Sequence, residues 1–456
     1  MSGLEQQFVQ GNCSGIWRRL RPPNEFGPQG RSAARFGPRR PTLRPSWWTP
    51  GGAPQQANIE PLASMTHSAQ HTGSAAETQG IVSFVQALVS SRPQALGEWL
   101  ATHRLDVALA TWLHGQGMAP FVFYRLRQDQ LQAVVSSDAL TQLQQAYYLA
   151  APRAALRTRE LTTVLQALAA HGIVPVLFKG AVLAHTIYPN YVCRPMSDLD
   201  LWLSDAEIEV AVHALAQIGY VQRFKPARPA ALQALHEGEF KFYGPTPDTG
   251  LIELHRGVFA GQWLHRTTRA RSSETCKRLA PVVIAGQPAK MLSPEDALLQ
   301  LALHLAVNHQ FSYPWVRGLV DIALLARQQP VDWILVAERA RAWRVAAPTW
   351  LALNLALSIV GLSEARPALA RLAPSALRRW VLHLFVNPGT LLQRRNITTG
   401  PLRFLFLLAM VDRPLDAGRL LGRAVWPEEA WLAARYGTGG LRVRVRHTFN
   451  AMRGRL

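Results

Sequence analysis

The stretch RPMSDLDLWL, residues 194–203, carries most of the information in this chain. Its alternation of acidic and apolar residues predicts a β-strand over 198–203, because successive strand side chains point to opposite faces. Asp198 and Asp200 then share one face, about 7 Å apart, while Leu199 and Leu201 turn towards the core. Two carboxylates placed in this way can share hard divalent cations such as Mg²⁺. The alternative is a strand that begins with a solvated aspartate turn.

A second signal lies upstream of this strand. Residues 173–178 predict a buried strand, and Pro175 indicates either its beginning or an edge position. Lys179, Gly180 and Ala181 follow where that strand turns into a helix. Glycine lets a phosphate approach the backbone, the helix N–H groups favour an anion, and Lys179 adds positive charge. A plain strand-to-helix turn with a surface lysine is the alternative.

A third signal lies downstream. Residues 239–243 and 251–256 flank a seven-residue loop and predict a β-hairpin. Glu253 and His255 share one face of its second strand. If that strand pairs beside the acidic strand, a third carboxylate joins the first two, and the three would repel one another unless cations fill the site. Removing one of the aspartates is then expected to leave the metal-free protein at least as stable. His255 is either a site residue or a hydrogen-bonded core histidine.

The remaining pattern is mostly helical, with apolar residues at spacings of three and four. The order strand, helix, strand, helix, hairpin predicts an α+β protein in which a small mixed sheet is flanked by helical N- and C-terminal regions. The predicted divisions are an arm at 1–80, a helical region at 81–170, a sheet-containing core at 171–290 and a helical region at 291–456.

Composition bounds the function classes. The formal charge is +20, but only five of the 49 basic residues are lysines, and we do not take this arginine-rich balance as a sign of nucleic-acid binding. Three widely spaced cysteines, Cys13, Cys193 and Cys276, fit neither a disulfide framework nor a zinc site. The sequence has no apolar run of bilayer length and no standard secretory signal, so a cytoplasmic location is expected.

Residues 1–64 differ from the rest of the chain. Seventeen of these 64 residues are proline or glycine, and eight are arginine. Such a composition buries too little apolar surface to offset the entropy of ordering. The segment is therefore interpreted as a disordered basic arm, an RNA-contacting tail, or translated upstream sequence ahead of a true start at Met65.

The chain resembles the uncharacterised nucleotidyltransferase family of bacteria, within the polymerase-β-like superfamily. The superfamily signature is a glycine turn, an acidic pair on the next strand and a third carboxylate on a later strand. The resemblance spans roughly residues 80–440. It rests on residues 176–181, 188–189, 194–201, 252–255 and 293–296, on Arg317 with Asp321, and on residues 426–429 and 435–437.

This resemblance implies metal-dependent transfer of a nucleoside monophosphate from a nucleoside triphosphate to an acceptor, which could be a small molecule, a protein or RNA. The implied catalytic residues, which would also bind two Mg²⁺ or Mn²⁺ ions, are Asp198, Asp200 and Glu253. The implied nucleotide-binding residues are Lys179, Gly180, Ala181, Arg194 and His255. The chain departs from the superfamily in having Ala181 instead of serine or glycine, and in a longer gap from the glycine turn to the acidic pair.

Two other functions stay open. The first is a non-catalytic nucleotide-sensing or partner-binding module on the same fold, and the second is an arginine-rich RNA-associated protein with an incidental acidic strand. His304 and His309, five residues apart, lie about 140° apart around an α-helix, which predicts core or supporting residues rather than metal ligands. Arg317 and Asp321 are spaced as a simple helix pair, and their place in the family pattern implies a role in the nucleotide pocket as the alternative.

Overall fold

The computed structural model describes residues 75–222, 238–246, 248–259, 261–312, 314–392 and 400–452. Residues 1–74 of the predicted arm lie outside this part of the chain, and the first helix begins at Ala75 rather than at Ile81. Among the described residues, no helix is both long enough and apolar enough to cross a membrane.

The centre of the fold is a mixed seven-stranded sheet with the strand order β3-β4-β5-β2-β1-β7-β6, which confirms the predicted α+β class. The strands are β1 (Val176–Leu177), β2 (Asp198–Trp202), β3 (Val221–Gln222), β4 (Glu239–Tyr243), β5 (Leu251–His255), β6 (Ala280–Ile284) and β7 (Gln287–Met291).

Helices flank the sheet on both sides in sequence. The N-terminal helices are α1 (Ala75–Leu88), α2 (Ala95–Thr102), α3 (Val107–Gly115), α4 (Ala119–Gln128) and α5 (Ser137–Ala169). The helices between strands are α6 (Gly180–Thr186), α7 (Asp205–Gln217), α8 (Gln262–Thr267) and α9 (Ser272–Cys276). The C-terminal helices are α10 (Pro294–Leu303), α11 (Val316–Gln328), α12 (Trp333–Ala342), α13 (Ala346–Val360), α14 (Arg366–Leu372), α15 (Ala376–Phe385), α16 (Pro388–Leu392), α17 (Gly400–Ala409), α18 (Pro414–Val425), α19 (Glu429–Tyr436) and α20 (Leu441–Met452).

Strand β2 lies at the centre of the sheet, parallel to β5 and antiparallel to β1. Strand β1 is shorter than predicted and is interior, because it also pairs in parallel with β7. Pro175 therefore precedes an interior strand and does not mark an edge. The β6–β7 hairpin was not predicted; its two loop residues, Ala285 and Gly286, both have positive φ, as the tight two-residue hairpin turn requires.

Local sequence signals set several helix ends. Gly172, with φ of +73°, follows α5 and turns the chain towards β1. At the start of α7, the backbone N–H of Ser204 donates to the Glu207 carboxylate in the predicted capping box. Ser293 caps α10 and Pro294 occupies its first turn. The observed starts of α7 and α10 confirm the helix starts that these signals predicted.

The two faces of β2 have different surroundings. Leu199 and Leu201 are fully buried in a large apolar core that extends from α1 to α17. The opposite face carries the acidic residues, and beyond them Trp202 packs into a small separate apolar cluster with Phe178 and Val258. The acidic residues therefore lie on one face of β2, and apolar side chains cover that face at its Trp202 end.

Candidate active site

The register between β2 and β5 brings the acidic residues together. Asp200 lies directly beside Glu253, and Trp202 lies beside His255, in parallel pairing. Neighbouring residues of paired strands project from the same face of the sheet. Asp200, Glu253 and His255 are all buried, and each offers one ligand atom within 4.8 Å of the others. The strand pairing on which the third carboxylate depended is therefore present.

Asp198 lies at the other end of the same strand face. It is half-buried, pairs in register with Leu251, and accepts a hydrogen bond from the Ser197 hydroxyl at 3.1 Å. It lies outside the group of three potential ligands. The structure thus groups His255, predicted as a nucleotide ligand, with Asp200 and Glu253, and it leaves Asp198 at the half-buried edge of the site.

Lys179 reaches into the site from the end of β1. Its ammonium group lies 2.6 Å from Oδ1 of Asp200, and the same oxygen accepts a hydrogen bond from His255 Nε2 at 2.8 Å. Burial alone would raise the pKa of Asp200, but Lys179 and His255 lower it well below its usual range. Burial would lower the pKa of Lys179, but attraction to Asp200 more than offsets this and raises it. Both groups are therefore charged at neutral pH.

Lys241 provides a second internal cation. It lies directly opposite Glu253 in the β4–β5 register, forms an ion pair with Glu253 and lies 3.3 Å from Glu239. Burial would lower the pKa of Lys241, but the two glutamates raise it above its ordinary value. The sequence-based expectation considered unpaired carboxylates, whereas Lys179 and Lys241 neutralise part of their charge in the structure.

The charges at the site do not balance. The four carboxylates are those of Asp198, Asp200, Glu239 and Glu253, and the two ammonium groups are those of Lys179 and Lys241. These four carboxylates and two ammonium groups carry a formal charge of −2. A divalent cation would neutralise this excess.

The turn from β1 into α6 is strained. Lys179 has φ of 54° and ψ of −132°, a backbone conformation that residues other than glycine rarely adopt. A Cβ atom on Gly180 would lie 2.7 Å from Nη1 of Arg194 and 3.0 Å from Cγ of Met196. Ala181 is completely buried. Glycine is thus required at 180 because two side chains fill the space in front of its Cα atom.

Arg194 is held by helix α11. Its Nε and Nη2 atoms donate to both carboxylate oxygens of Asp321, at 3.1 and 2.8 Å, and the Tyr188 hydroxyl donates to Asp321 at 2.8 Å. Burial would lower the pKa of Arg194, but Asp321 raises it. The predicted helix pair of Asp321 with Arg317 is wrong, because Arg317 instead donates to the carbonyl of Pro195 at 3.1 Å.

Two cavities flank the strained turn, and Phe178, Lys179 and Gln300 line both of them. The polar cavity is also lined by His255, Val258, Phe259, Leu264, His304 and Asn308. The other cavity is mostly apolar and extends between α6, β7, α10 and α11; its remaining lining residues are Leu177, Val182, Leu183, Thr186, Ile187, Met291, Leu292, Pro294, Ala297, Leu301, Leu325 and Gln329. The Lys179 turn thus separates a polar from an apolar space.

His304 and His309 meet at the polar cavity. Their Nε2 atoms are 2.9 Å apart, because residues His304–Asn308 form a π-helix, in which side chains five residues apart lie on one face. The predicted angle of 140° assumed an α-helix and was wrong. Burial, followed by the charge of Lys179, lowers the pKa of both histidines, so both are neutral at pH 7. Two histidines five residues apart, directly after an apolar helix, are the sequence feature from which this contact could have been predicted.

A sequence model of the uncharacterised nucleotidyltransferase family matches residues 106–361, which is more than half of the chain. The match includes every strand of the sheet, the acidic residues, Lys179 and the histidine pair. It is narrower than the expected span of 80–440 and excludes the segments at 426–429 and 435–437. No curated protein and no solved structure matches the chain.

Proposed function

Because the chain belongs to the uncharacterised nucleotidyltransferase family, we propose that it transfers a nucleoside monophosphate from a nucleoside triphosphate to an acceptor at the β2–β5 face. The observation that carries this proposal is the β2–β5 register, which sets Asp200 beside Glu253. The polymerase-β-like superfamily that the chain resembles has an acidic pair on one strand and a third carboxylate on a later strand, and here Asp198, Asp200 and Glu253 lie on a single face. The acceptor is a small molecule, a protein or RNA.

The donor set fits a divalent cation. Asp200, Glu253 and His255 would hold it, since they offer two carboxylates and an imidazole with ligand atoms within 4.8 Å of one another. Nδ1 of His255 is buried and has no hydrogen-bond partner among the described residues. Mg²⁺ and Mn²⁺ are the candidates, and when bound such an ion stabilises negative charge on phosphoryl oxygens. The net negative charge of the surrounding groups favours its binding.

The residues around this donor set have distinct tasks. Lys179 places a positive charge at the polar cavity, where it would favour the triphosphate. Asp198, at the half-buried edge of the same strand face, would supply a further carboxylate to the cations, and Glu253, already held by Lys241, would complete the cation site. Arg194 contacts the Gly180 turn through Nη1 and keeps that turn in place. Neutral His304 lines the same cavity, with His309 at its Nε2 atom, and can accept or relay a proton from an acceptor hydroxyl.

Transfer is tested with nucleoside triphosphates labelled at the α-phosphate, in the presence of Mg²⁺ or Mn²⁺, with pyrophosphate release and acceptor labelling as readouts. Asp198→Asn and Asp200→Asn should each lower the rate on the order of 100-fold, because each removes a charge needed at the transition state. Asp205→Asn is the matched control, since Asp205 begins the next helix and its side chain is 71% exposed. Nucleotide binding without pyrophosphate release would contradict the proposal and support a non-catalytic module.

A further inference from the structure

Exposed apolar side chains are concentrated in the C-terminal helices. Of the 22 large apolar residues that are exposed in the described part of the chain, twelve lie between residues 377 and 449, and only ten lie in all the residues before them. The twelve are Leu377, Trp380, Leu384, Leu402, Leu405, Leu415, Leu421, Val425, Trp426, Leu441, Val445 and Phe449. Such a concentration marks an interaction surface, whereas single exposed apolar residues do not.

These residues form stripes at helical spacing. Leu377 and Leu384 lie two turns apart on α15, and Leu441, Val445 and Phe449 follow one another at intervals of four on α20. Each stripe is therefore a continuous apolar line on a helix side that faces solvent. Helices α15, α17, α18 and α20 contact one another in that order. The stripes thus belong to one connected helical layer, which we call the C-terminal layer (residues 376–392 and 400–452).

The C-terminal layer is strongly basic. Residues 376–392 and 400–452 contain ten arginines, no lysine and four acidic residues, which gives a formal charge of +6. Arg442 and Arg446 are exposed on α20 next to the apolar stripe, and the side chain of Arg419 is 73% exposed on α18. Leucine and tryptophan beside exposed arginine are typical of helices that lie in the interface of a bilayer.

We propose that the C-terminal layer binds the surface of an anionic lipid bilayer, with its apolar stripes in the headgroup region and its arginines on lipid phosphates. Charge complementarity selects this occupant. A second copy would bring +6 against +6, and residues 1–74 contain eight arginines and only three acidic residues, so they would also be repelled. A nucleic acid would pair with the arginines but would leave the apolar stripes in water.

The position of the layer makes the proposal independent of nucleotide transfer. The family match ends at residue 361, before the layer begins. The acidic residues and the histidine pair lie within the matched part, whereas the side chains changed in the test below lie on α20. Membrane binding and catalysis can therefore fail separately.

The test is flotation of the full chain with vesicles of phosphatidylcholine alone and with vesicles that contain an equal part of phosphatidylglycerol. We expect binding to the anionic vesicles only. The triple variant Leu441→Ser, Val445→Ser, Phe449→Ser should bind on the order of tenfold or more weakly, because three interfacial side chains are lost. The double variant Arg442→Gln, Arg446→Gln should lose about fivefold for each arginine removed. All five side chains are exposed, so folding should persist and is checked by circular dichroism.

The matched control is Leu149→Ser with Val283→Ser, which removes two apolar side chains that are 68% and 71% exposed elsewhere. This control should bind like the wild type. Equal binding by the control and the triple variant would overturn the proposal, as would equal binding to both kinds of vesicle. A dimer in sedimentation that only the triple variant abolishes, without vesicle binding by the wild type, would assign the surface to a second copy instead.

Discussion

Lys179 joins a strained backbone to a buried charge. Its φ of 54° would relax in most surroundings, and such strain persists where neighbouring contacts over-determine it. Here the carbonyl of Lys179 accepts the N–H of Leu183 at 2.9 Å, while its ammonium group is bound to Asp200 on the neighbouring strand. The first turn of α6 and the charge pair therefore hold each other in place, and the strain directs the side chain into the site.

Lys179→Met should be costly in the metal-free protein, because the change keeps much of the apolar stem but leaves Asp200 buried without its cation. We expect the free energy of unfolding to fall by about 3–5 kcal/mol, as when one partner of a buried ion pair is lost. Addition of Mg²⁺ or Mn²⁺ should restore part of this loss by supplying a replacement cation. Urea unfolding with and without metal measures both effects.

Lys277→Met is the control for this experiment. Lys277 and its partner Glu274 are 68% and 52% exposed, so their pair should contribute at most about 1 kcal/mol. Wild-type stability of the Lys179 variant, together with no response to metal, would show that Lys179 does not stabilise Asp200.

The two aspartates should differ in their effect on stability. Asp200→Asn removes the charge that Lys179 and His255 both contact, and we expect a loss of about 1–3 kcal/mol without metal. Asp198→Asn, at the half-buried edge, should change the free energy of unfolding by less than about 0.5 kcal/mol. Melting temperatures of the two variants, compared in one metal-free buffer, measure the difference. If the Asp200 variant is as stable as the Asp198 variant, repulsion rather than pairing dominates the site.

At the residue scale, the period of two along a strand was sufficient to predict that Asp198 and Asp200 share a face, and that Glu253 and His255 do. Lys241 could also have been found, because counting inwards from the seven-residue hairpin loop sets it opposite Glu253. The contact of Lys179 with Asp200 could not be predicted. It depends on a positive φ that the sequence gives no reason to assign to a lysine.

Helix α11 fixes the segment that leads into β2. Asp321 binds Arg194 and Tyr188, which lie before the strand, and Arg317 binds the carbonyl of Pro195. Burial, together with the negative charge of Asp321, raises the pKa of Tyr188 well above its ordinary value, so its hydroxyl remains a donor. The acidic strand is therefore positioned from the C-terminal helices as well as by its sheet neighbours.

Asp321→Ala should destabilise the protein by about 3–5 kcal/mol, because Arg194 is left buried without a carboxylate. Arg194→Ala together with Asp321→Ala should cost less than the sum of the two single changes, since the double variant leaves no unpaired charge. Chemical denaturation of the three variants gives the coupling energy. Asp138→Ala, at an exposed position in the first turn of α5, is the control. Additive losses would mean that the pair is not coupled.

At the element scale, the elements themselves were predictable where local signals were strong, as at the capping box of α7 and the hairpin β4–β5. The parallel pairing of β2 with β5 was not, because α7, β3 and β4 lie between these strands in the chain, and no local signal selects that neighbour. The π-helix at His304–Asn308 was missed for a different reason. The angular argument assumed 3.6 residues per turn, and the local winding is wider.

The N- and C-terminal helical regions contact each other where α1 meets α11 and α13. The side chain of Gln86 in α1 donates to the carbonyl of Ser358 in α13 at 3.2 Å. Arg327 in α11 donates to the carbonyl of Val89 after α1 and, at 3.0 Å, to that of Gly361 after α13. One apolar core includes residues of both regions and of the sheet. The two helical regions were predicted as separate divisions of the chain, whereas in the structure their residues share one apolar core.

Arg327→Met tests this connection, because it removes the guanidinium that links the two regions but keeps an apolar side chain of similar reach. Three backbone carbonyls, those of Val89, Val360 and Gly361, lose a donor, so we expect a loss of about 1–3 kcal/mol in the free energy of local opening. Hydrogen exchange measured on peptides from 75–89 and 346–361 should become faster in both segments together. Arg92→Met is the control, since Arg92 is 66% exposed and pairs only with the exposed Glu98 at the surface. If only one segment is affected, or neither, Arg327 does not couple the N-terminal helices to the C-terminal ones.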